Sequence, residues 1–563
     1  MINFFPLSRN VTRPLTLLVL VAWVAVMAAL VNRSYVQATG NLATDLARYG
    51  SSAQWRGVYY RGEKIGFTVS QTTPVEGGEG EDGGFELQED GQLQMALLGA
   101  HTITTLRTSA RVNRAFELQS FEFALDPGTG PITIGGIVRE LDLHISITSG
   151  GRTRTEVRRL TERPMLSLNL VRRLAGEGLA PGSIHRWNVF DPATLRNAPV
   201  TVKVGAREIV RSANAPIPAS RVEMEMAGLR TTAWITDTGE IVREESPLGF
   251  ITVREPPERA RALAIDGRIR QDLLTASAVV PNVEPRTPPL SPIDDPRHVR
   301  RLRMRVEGAD LSSPDLQGVG QTIDGNMVEI VDAERLVAGP ADRDLGRYLS
   351  AEPFIESDDP DIRAAAEDAV RGVAGARARA EALTRFVNST VQKKPTVSLP
   401  SAREVLRTRI GDCNEHTALF VAMSRAIGIP ARIAVGLAFV RGAFYYHAWP
   451  EIYIDEGGAR GLWLPVDPTF NQFPADATHF RLARGGLDRQ AAIIPLIGRL
   501  KVTLVDVEVV AGSTAVLVGQ PETAVGAPLA LPRRPVRRSA TREGGSAERE
   551  GGWCLPCFLG GHE

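Results

Sequence analysis

Between about residues 42 and 280, apolar and polar positions alternate in short runs, the period-two rhythm of strands covered on one face. Residues 55–60, 85–98, 102–112, 116–124, 141–148, 200–204, 221–226 and 231–235 read as such strands. Glycine- and acid-rich clusters at 76–83 and 148–152 read as hairpin connections, and one helical segment, 166–179, interrupts the pattern. The rhythm stops at Pro281, Pro285, Pro288, Pro289 and Pro292, which predict a linker over 281–296, too proline-rich for a helix or central strand. A small β segment is expected over 297–345, with strands at 299–306 and 327–331. Ala, Arg and Glu then dominate residues 360–391, which predict helix. Residues 401–512 are the densest apolar stretch after the N-terminus, inside a unit expected over 346–515. The tail, 520–563, has the composition of disorder. No internal repeat is found.

Length and charge narrow the classes. A chain of 563 residues exceeds the ~250–300 at which single cores stop growing, so several units are expected. The 65 basic and 65 acidic residues cancel, against the basic stripe of a nucleic-acid binder. Residues 15–31 form an uncharged apolar run after Arg9 and Arg13. They predict a transmembrane anchor that leaves residues 1–14 in the cytoplasm. The rest of the chain is then expected outside it, on a single-pass protein of the cell inner membrane facing the periplasm. Cleavage after Val36-Gln37-Ala38 is the other option, with Arg33 against it. Either way the body is exported. Cysteine is scarce: Cys413, Cys554 and Cys557. The expected folded body therefore holds one thiol, and no disulfide framework is predicted.

That thiol sits in Gly411-Asp412-Cys413-Asn414-Glu415-His416, followed by Leu419, Phe420, Met423, Ala426 and Ile427 at helical spacing, with Gly428 and Pro430 as a stop. Asp412 is the expected N-cap, which puts Cys413 in the first helical turn, where free amides and the helix dipole favour a thiolate. Strand-like residues 433–440 and 444–454 follow, the second carrying Tyr446-His447-Ala448-Trp449. A third run, Trp463-Leu464-Pro465-Val466-Asp467-Pro468-Thr469, ends in a carboxylate at a turn. If the strands are neighbours, His447 can deprotonate Cys413 and Asp467 can orient the imidazole, a nucleophile–base–carboxylate triad. The Cys413 backbone amide would serve as one oxyanion donor, the second being unassigned.

Ser401-Ala402 with Val405-Leu406, then residues 411–432 (GDCNEHTALFVAMSRAIGIPAR), 444–454 (FYYHAWPEIYI) and 463–469 (WLPVDPT), resemble the transglutaminase-like superfamily over about residues 360–480. By motif, the resemblance makes Cys413 the nucleophile, His447 the general base and Asp467 the orienting carboxylate. It implies an α+β, papain-like core, a cysteine-bearing helix packed on an antiparallel sheet, preceded here by the large antiparallel β-rich domain. Cross-linking members also use an upstream tryptophan, and none lies between Trp234 and Trp449 to match it. The expected chemistry is therefore hydrolysis of peptide or amide bonds through an acyl-thioester, on a peptide or protein substrate and without cofactor or metal. Amine transfer is the alternative. A binding or assembly role for the β domain is the third reading. The text around 60–66 weakly resembles curved half-barrel sheets of exported proteins, lipoprotein carriers included, so a plain β platform is weighed against a lipid- or polymer-binding groove.

His416, three residues after Cys413, is expected to be structural, since two ligands are fewer than zinc needs. Tyr446 and Trp449 are expected to pack against the imidazole. Cys554 and Cys557 lack the strand–helix context of a redox pair. The Asn388-Ser389-Thr390 triplet carries no weight.

Overall fold

The computed structural model describes residues 53–510 except 77–82, 98, 213–214, 264–270, 286–289, 291–292, 314–315, 396, 456–459 and 492. The anchor expected at 15–31, and the tail with Cys554 and Cys557, lie outside the described residues. Among the described residues no helix is long and apolar enough to cross a membrane.

The period-two region folds as one antiparallel sheet of fourteen strands. Its first meander is β1 (Gln54–Tyr60), β2 (Glu63–Val75), β3 (Gly84–Leu97), β4 (Ala100–Asn113), β5 (Leu118–Asp126), β6 (Ile132–Arg139), β7 (Asp142–Ser149) and β8 (Arg152–Arg159). Helix α1 (Ser167–Glu177) intervenes. The second meander is β9 (Ile184–Asp191), β10 (Arg196–Ser212), β11 (Ala215–Met226), β12 (Leu229–Ile235), β13 (Ile241–Glu245) and β14 (Phe250–Arg254). The meanders join because β1 pairs with β14. Two-residue turns such as Gly150-Gly151, both at positive φ, match the twist of the strands they connect.

The sheet rolls back on itself. Phe121 of β5 and Phe190 of β9 lie ten strands apart in sheet order, yet their rings meet at 5.6 Å. Phe190 also donates from its backbone to Met165 at 2.7 Å, tying β9 to the segment that leaves β8. Leu170 and Leu174 of α1 pack on Val200, Val202, Val204 and Val222. Strand β8 was not expected, because its sequence, RTRTEVRR, has almost no apolar residue, and it forms one edge of the sheet.

Downstream come β15 (Asn282–Val283), β16 (Val299–Glu307), β17 (Gln321–Asp324) and β18 (Met327–Val331), then α2 (Pro360–Ala369), α3 (Ala376–Thr390), α4 (Ala402–Thr408) and α5 (Cys413–Ala426). The chain continues through β19 (Ala431–Val440), β20 (Ala443–Asp455), β21 (Arg460–Pro465), β22 (His479–Arg484) and β23 (Lys501–Val509). Strands β21-β20-β19-β22 form the sheet behind α5, with a two-residue strand, Gly339–Pro340, added beside β21. A second sheet has the order β15-β23-β16-β18-β17.

Two features bear on the expected layout. Elements from the units expected at 281–296, 297–345 and 346–515 share one sheet and one core. Strand β23 pairs with both β15 and β16, and one core runs from Val299 and Met304 through Leu383 and Phe420 to Val507. A strand at 501–509 closing a sheet begun two hundred residues earlier leaves no local trace in sequence. Among the described residues strand makes up 50% and helix 19%, so the large antiparallel β-rich domain before the transglutaminase-like core is present as expected, and the α+β description fits the molecule only roughly.

The rolled sheet docks on the core through ion pairs. Arg152 reaches Asp359 at 2.8 Å and Arg154 reaches Asp358 at 3.0 Å. Asp359, the N-cap of α2, also binds Arg403 of α4 at 2.7 Å.

Candidate active site

Asp412 caps α5 as expected. Its side chain accepts from the Asn414 amide at 3.0 Å, while the Glu415 carboxylate accepts from the Asp412 amide at 2.8 Å, a reciprocal capping box. Burial, with the Glu415 and Cys413 charges next, pushes the Asp412 carboxyl well up. The cap fixes where the helix starts and so places Cys413 at its N-terminus. All fourteen residues of α5 are buried, so it runs through the core and has no solvent face. Thr417 donates to the Ala448 carbonyl at 3.1 Å, pinning the first turns of α5 to β20 beside His447.

Antiparallel pairing sets His447 opposite Gly436 of β19, which in turn pairs with Arg481 of β22. A Cβ on Gly436 would come within 1.9 Å of the Phe480 carbonyl oxygen, so only glycine lets the three strands close at this level. Asp467 follows β21, where backbone bonds with Gln472 at 2.8 and 2.9 Å tie off a tight loop. One oxygen of Asp467 accepts from the Thr469 and Phe470 amides at 2.7 and 3.1 Å. The other is left for His447 Nε2 at 2.7 Å and His479 Nε2 at 3.1 Å.

An ionised carboxylate only accepts, so Nε2 of His447 carries a proton and Nδ1 is left to face the sulfur, with which the ring is hydrogen-bonded. Burial acts to lower the His447 pKa, but the Asp467 carboxylate and the Cys413 sulfur outweigh it and raise it to about 10. Burial likewise opposes ionisation of Asp467, yet the two histidines hold its pKa far below the usual range. His479 is raised to about 9 against burial by Asp476 and Asp467. At neutral pH the imidazole is therefore an imidazolium, which favours a thiolate on the sulfur beside it. Cys413, His447 and Asp467 come from three separate elements into one hydrogen-bonded succession.

Around this line stand groups the motifs named, Trp449, Tyr446 and His416, and others that no motif announced. The Phe470 ring stacks on His447 at 4.7 Å. Trp449 stacks on the same imidazole at 6.0 Å and meets His479 edge-on at 5.2 Å, which makes it a packing residue. Asn388 of α3 donates to the Pro468 and Thr469 carbonyls at 2.9 and 3.0 Å, anchoring the Asp467 loop. Tyr446 is buried against the recess over His447. His416 bonds through Nδ1 to the Asp412 carbonyl at 2.6 Å, and burial lowers its pKa to about 4, so it is a neutral structural histidine. His447, Asp467 and His479 offer atoms of metal-binding type within 4.8 Å of one another. Here they are joined by direct hydrogen bonds to one carboxylate oxygen.

The site is closed. Cys413 and Asp467 are 0% exposed and His447 is 3%. Over the helix start lies a recess of only about 20 Å³, walled by Asn414, Tyr446 and His447 on one side and by Gln490, Ile493, Ile494 and Ile497 on the other.

Residues 363–468 match the family model described as the transglutaminase-like superfamily. The span contains Cys413, His447 and Asp467 but stops short of His479 and the residues that close the site. No curated protein matches the chain. Among solved structures, a beta-barrel-like protein of domain of unknown function DUF1849 from Brucella abortus is similar at 13% identity, covering 36% of this chain and 94% of its own, with a TM-score of 0.28. A Cytophaga hutchinsonii protein described as "a Putative Cysteine Protease" is similar at 16% identity, covering 39% and 90%, with a TM-score of 0.25.

Proposed function

We propose that the transglutaminase-like core makes this chain a cysteine-nucleophile amide hydrolase, acting on peptide or protein substrates. The observation that carries the reading is the buried succession of Cys413, His447 and Asp467 at the N-terminus of α5. The Cys413 thiolate attacks the carbonyl carbon of an amide, forming the S–C bond. The C–N bond then breaks, and the leaving amine takes its proton from the His447 imidazolium. His447, now neutral, accepts a proton from water as the water attacks the thioester, releasing a carboxylic acid product and restoring the thiolate. Asp467 is the positioning residue that holds the ring tautomer. The helix N-terminus favours both the thiolate and the oxyanion of the tetrahedral intermediate.

The test is to incubate the full chain with a peptide library and read new carboxyl termini and acyl adducts by mass spectrometry. An acyl thioester on Cys413 is expected. Cleavage that persists in Cys413→Ala would overturn the assignment. Amine transfer is the second reading, favoured by the apolar wall of Ile493, Ile494 and Ile497, which limits water near a thioester. Incorporation of a fluorescent amine into a glutamine peptide faster than its deamidation would promote it. We further place the core outside the cytoplasm, anchored to the inner membrane by residues 15–31. Protease digestion of intact spheroplasts should remove the core, and protection would count against that placement.

A further inference from the structure

A rolled sheet of fourteen strands encloses more room than its side chains can fill. Eight strands already make an interior just wide enough for side chains or one small ligand. Part of the lumen is filled by α1. What remains is a chamber of about 200 Å³, with a second of about 90 Å³ sharing the Met226, Leu229 and Thr231 walls. The larger exceeds the ~150 Å³ apolar cavity that accepts benzene. Its wall is mainly aliphatic and aromatic, with Leu93, Leu106, Phe123 and Phe250 among its members. The described wall has no lysine or arginine to hold an anion, and its acids, Glu89 (engaged by Arg56 at 2.5 Å), Asp191 (accepting from the Ala193 amide at 2.9 Å) and Glu244, would repel one. Two buried hydroxyls in that wall, Thr104 and Thr252, have no hydrogen-bond partner among the described residues. Such a site suits an uncharged, flexible apolar chain with a few acceptor atoms.

One wall residue comes from the other half of the molecule. Ile494 lines this chamber and also the recess over Asn414 and His447, so the lumen and the candidate active site share a wall residue. Pro495 beside it lies 3.2 Å from where a Cβ on Gly228 would stand, in the turn between β11 and β12. We propose that the lumen of the rolled sheet binds the acyl chain of an N-acylated peptide, whose peptide portion is delivered past Ile494 to Cys413. This rests on Cys413 being the nucleophile. It adds a substrate class, a lipid-modified peptide, and gives the large β domain a direct part in the reaction.

The experiment uses the full chain in phosphatidylcholine nanodiscs, with tetra-alanine p-nitroanilide capped by N-decanoyl or N-acetyl groups. With a diazirine at the end of the decanoyl chain and the Cys413→Ala variant, photolabelling is expected on β3–β5 and β11–β14. Label confined to residues 15–31 or to the lipid overturns the proposal. With the unsubstituted chain, KM for the decanoyl peptide is expected at least about tenfold below that for the acetyl peptide, since each buried methylene tightens binding about fourfold until the lumen is full. Leu229→Trp and Leu106→Trp should erase that advantage and leave the acetyl peptide unchanged. Equal KM values for the two caps, with cleavage still dependent on Cys413, sink the acyl site and spare the nucleophile. Lumen labelling without cleavage of either peptide does the reverse. Decanoic acid is the arm for a free fatty acid. If it blocks labelling while the decanoyl peptide has no kinetic advantage, the lumen is a fatty-acid site and the proposal fails.

Discussion

In β7 of the rolled sheet every second residue is buried, whereas in β19 of the core nine of ten are. Both are antiparallel strands, and the difference lies in what covers them. Strand β7 packs Leu143, Ile145 and Ile147 on one face and leaves the other partly open, so its sequence carries the covered face as a period of two. Strand β19 has α5 on one side and β20 and β22 beside it, and its sequence is almost continuously apolar. The two regions also differ in how charges are grouped. The rolled sheet carries exposed pairs such as Arg230–Glu225 at 2.9 Å, with side chains 64% and 50% exposed. The core buries Glu451 completely, between Arg432 at 2.7 Å, Arg481 at 2.8 Å and Arg484 at 3.2 Å. Burial would raise the Glu451 pKa, and the three guanidiniums, Arg481 foremost, bring it to about 2 instead. The rolled sheet buries a single-partner pair as well, Arg56–Glu89 at 2.5 Å, but the core gathers three guanidiniums around one sealed carboxylate, charges that must stay paired once water is gone.

This comparison can be broken in several ways, the largest effect first. Cys413→Ala should lower amide hydrolysis by at least ~10⁴-fold, because the residual comes only from binding and oxyanion stabilisation. Its melting temperature should be unchanged within error. A steady-state assay beside a thermal melt checks both, and a collapse of the fold would make Cys413 a packing residue. Asp467→Asn should cost roughly 10²–10⁴-fold in kcat while KM stays nearly constant, since the lost carboxylate acts through the imidazole.

Glu451→Ala leaves three guanidiniums facing one another and should destabilise the core by about 3–5 kcal/mol. Glu225→Ala, in the exposed pair, should cost less than about 1 kcal/mol. Denaturant titrations compare the two, and equal losses would erase the distinction between the regions.

The pH response should separate the regions as well. His447 and His479 have raised pKa values of about 10 and about 9. Their contribution to stability is therefore complete below the unfolded value, ~6.5, and is lost as pH climbs through 9 to 10. Glu451 is lowered to about 2, so its contribution is complete above ~4.3 and is lost as pH falls toward 2. The core should thus melt ahead of the rolled sheet at both extremes, as two calorimetric transitions that merge near neutrality, and hydrolysis should fail on a limb between pH 9 and 10. A single transition at every pH would contradict this.

The smallest effect concerns access. Ile493→Gly thins the wall over His447 and should speed iodoacetamide alkylation of Cys413 about threefold to tenfold by raising the open population. An unchanged alkylation rate would mean that the site opens elsewhere.

Much of this was legible in the chain. The N-cap at Asp412, the buried helix after it, the strands carrying His447 and Asp467 and the meander of the β domain all follow from local rules: capping chemistry, 3.6-residue spacing and period two. Other features needed the fold. His479 is twelve residues past Asp467 in a stretch without a motif, yet shares its carboxylate. Asn388 belongs to a triplet that meant nothing in sequence and holds the loop under Asp467. The merging of three expected units into one core depends on β23 returning to β15 and β16, a long-range pairing with no local signature.

By itself, then, the sequence determined which side chains are the candidates for the chemistry and which elements present them, because helix caps, hydrophobic periods and turn residues act over a few positions. Only the tertiary structure decided that a fourteen-stranded sheet rolls around an unfilled lumen, that Ile494 lines both this lumen and the recess over His447, and that Cys413 is sealed from water. Closure, enclosed volume and desolvation are properties of surfaces brought together from distant parts of the chain, and no short window of residues encodes them.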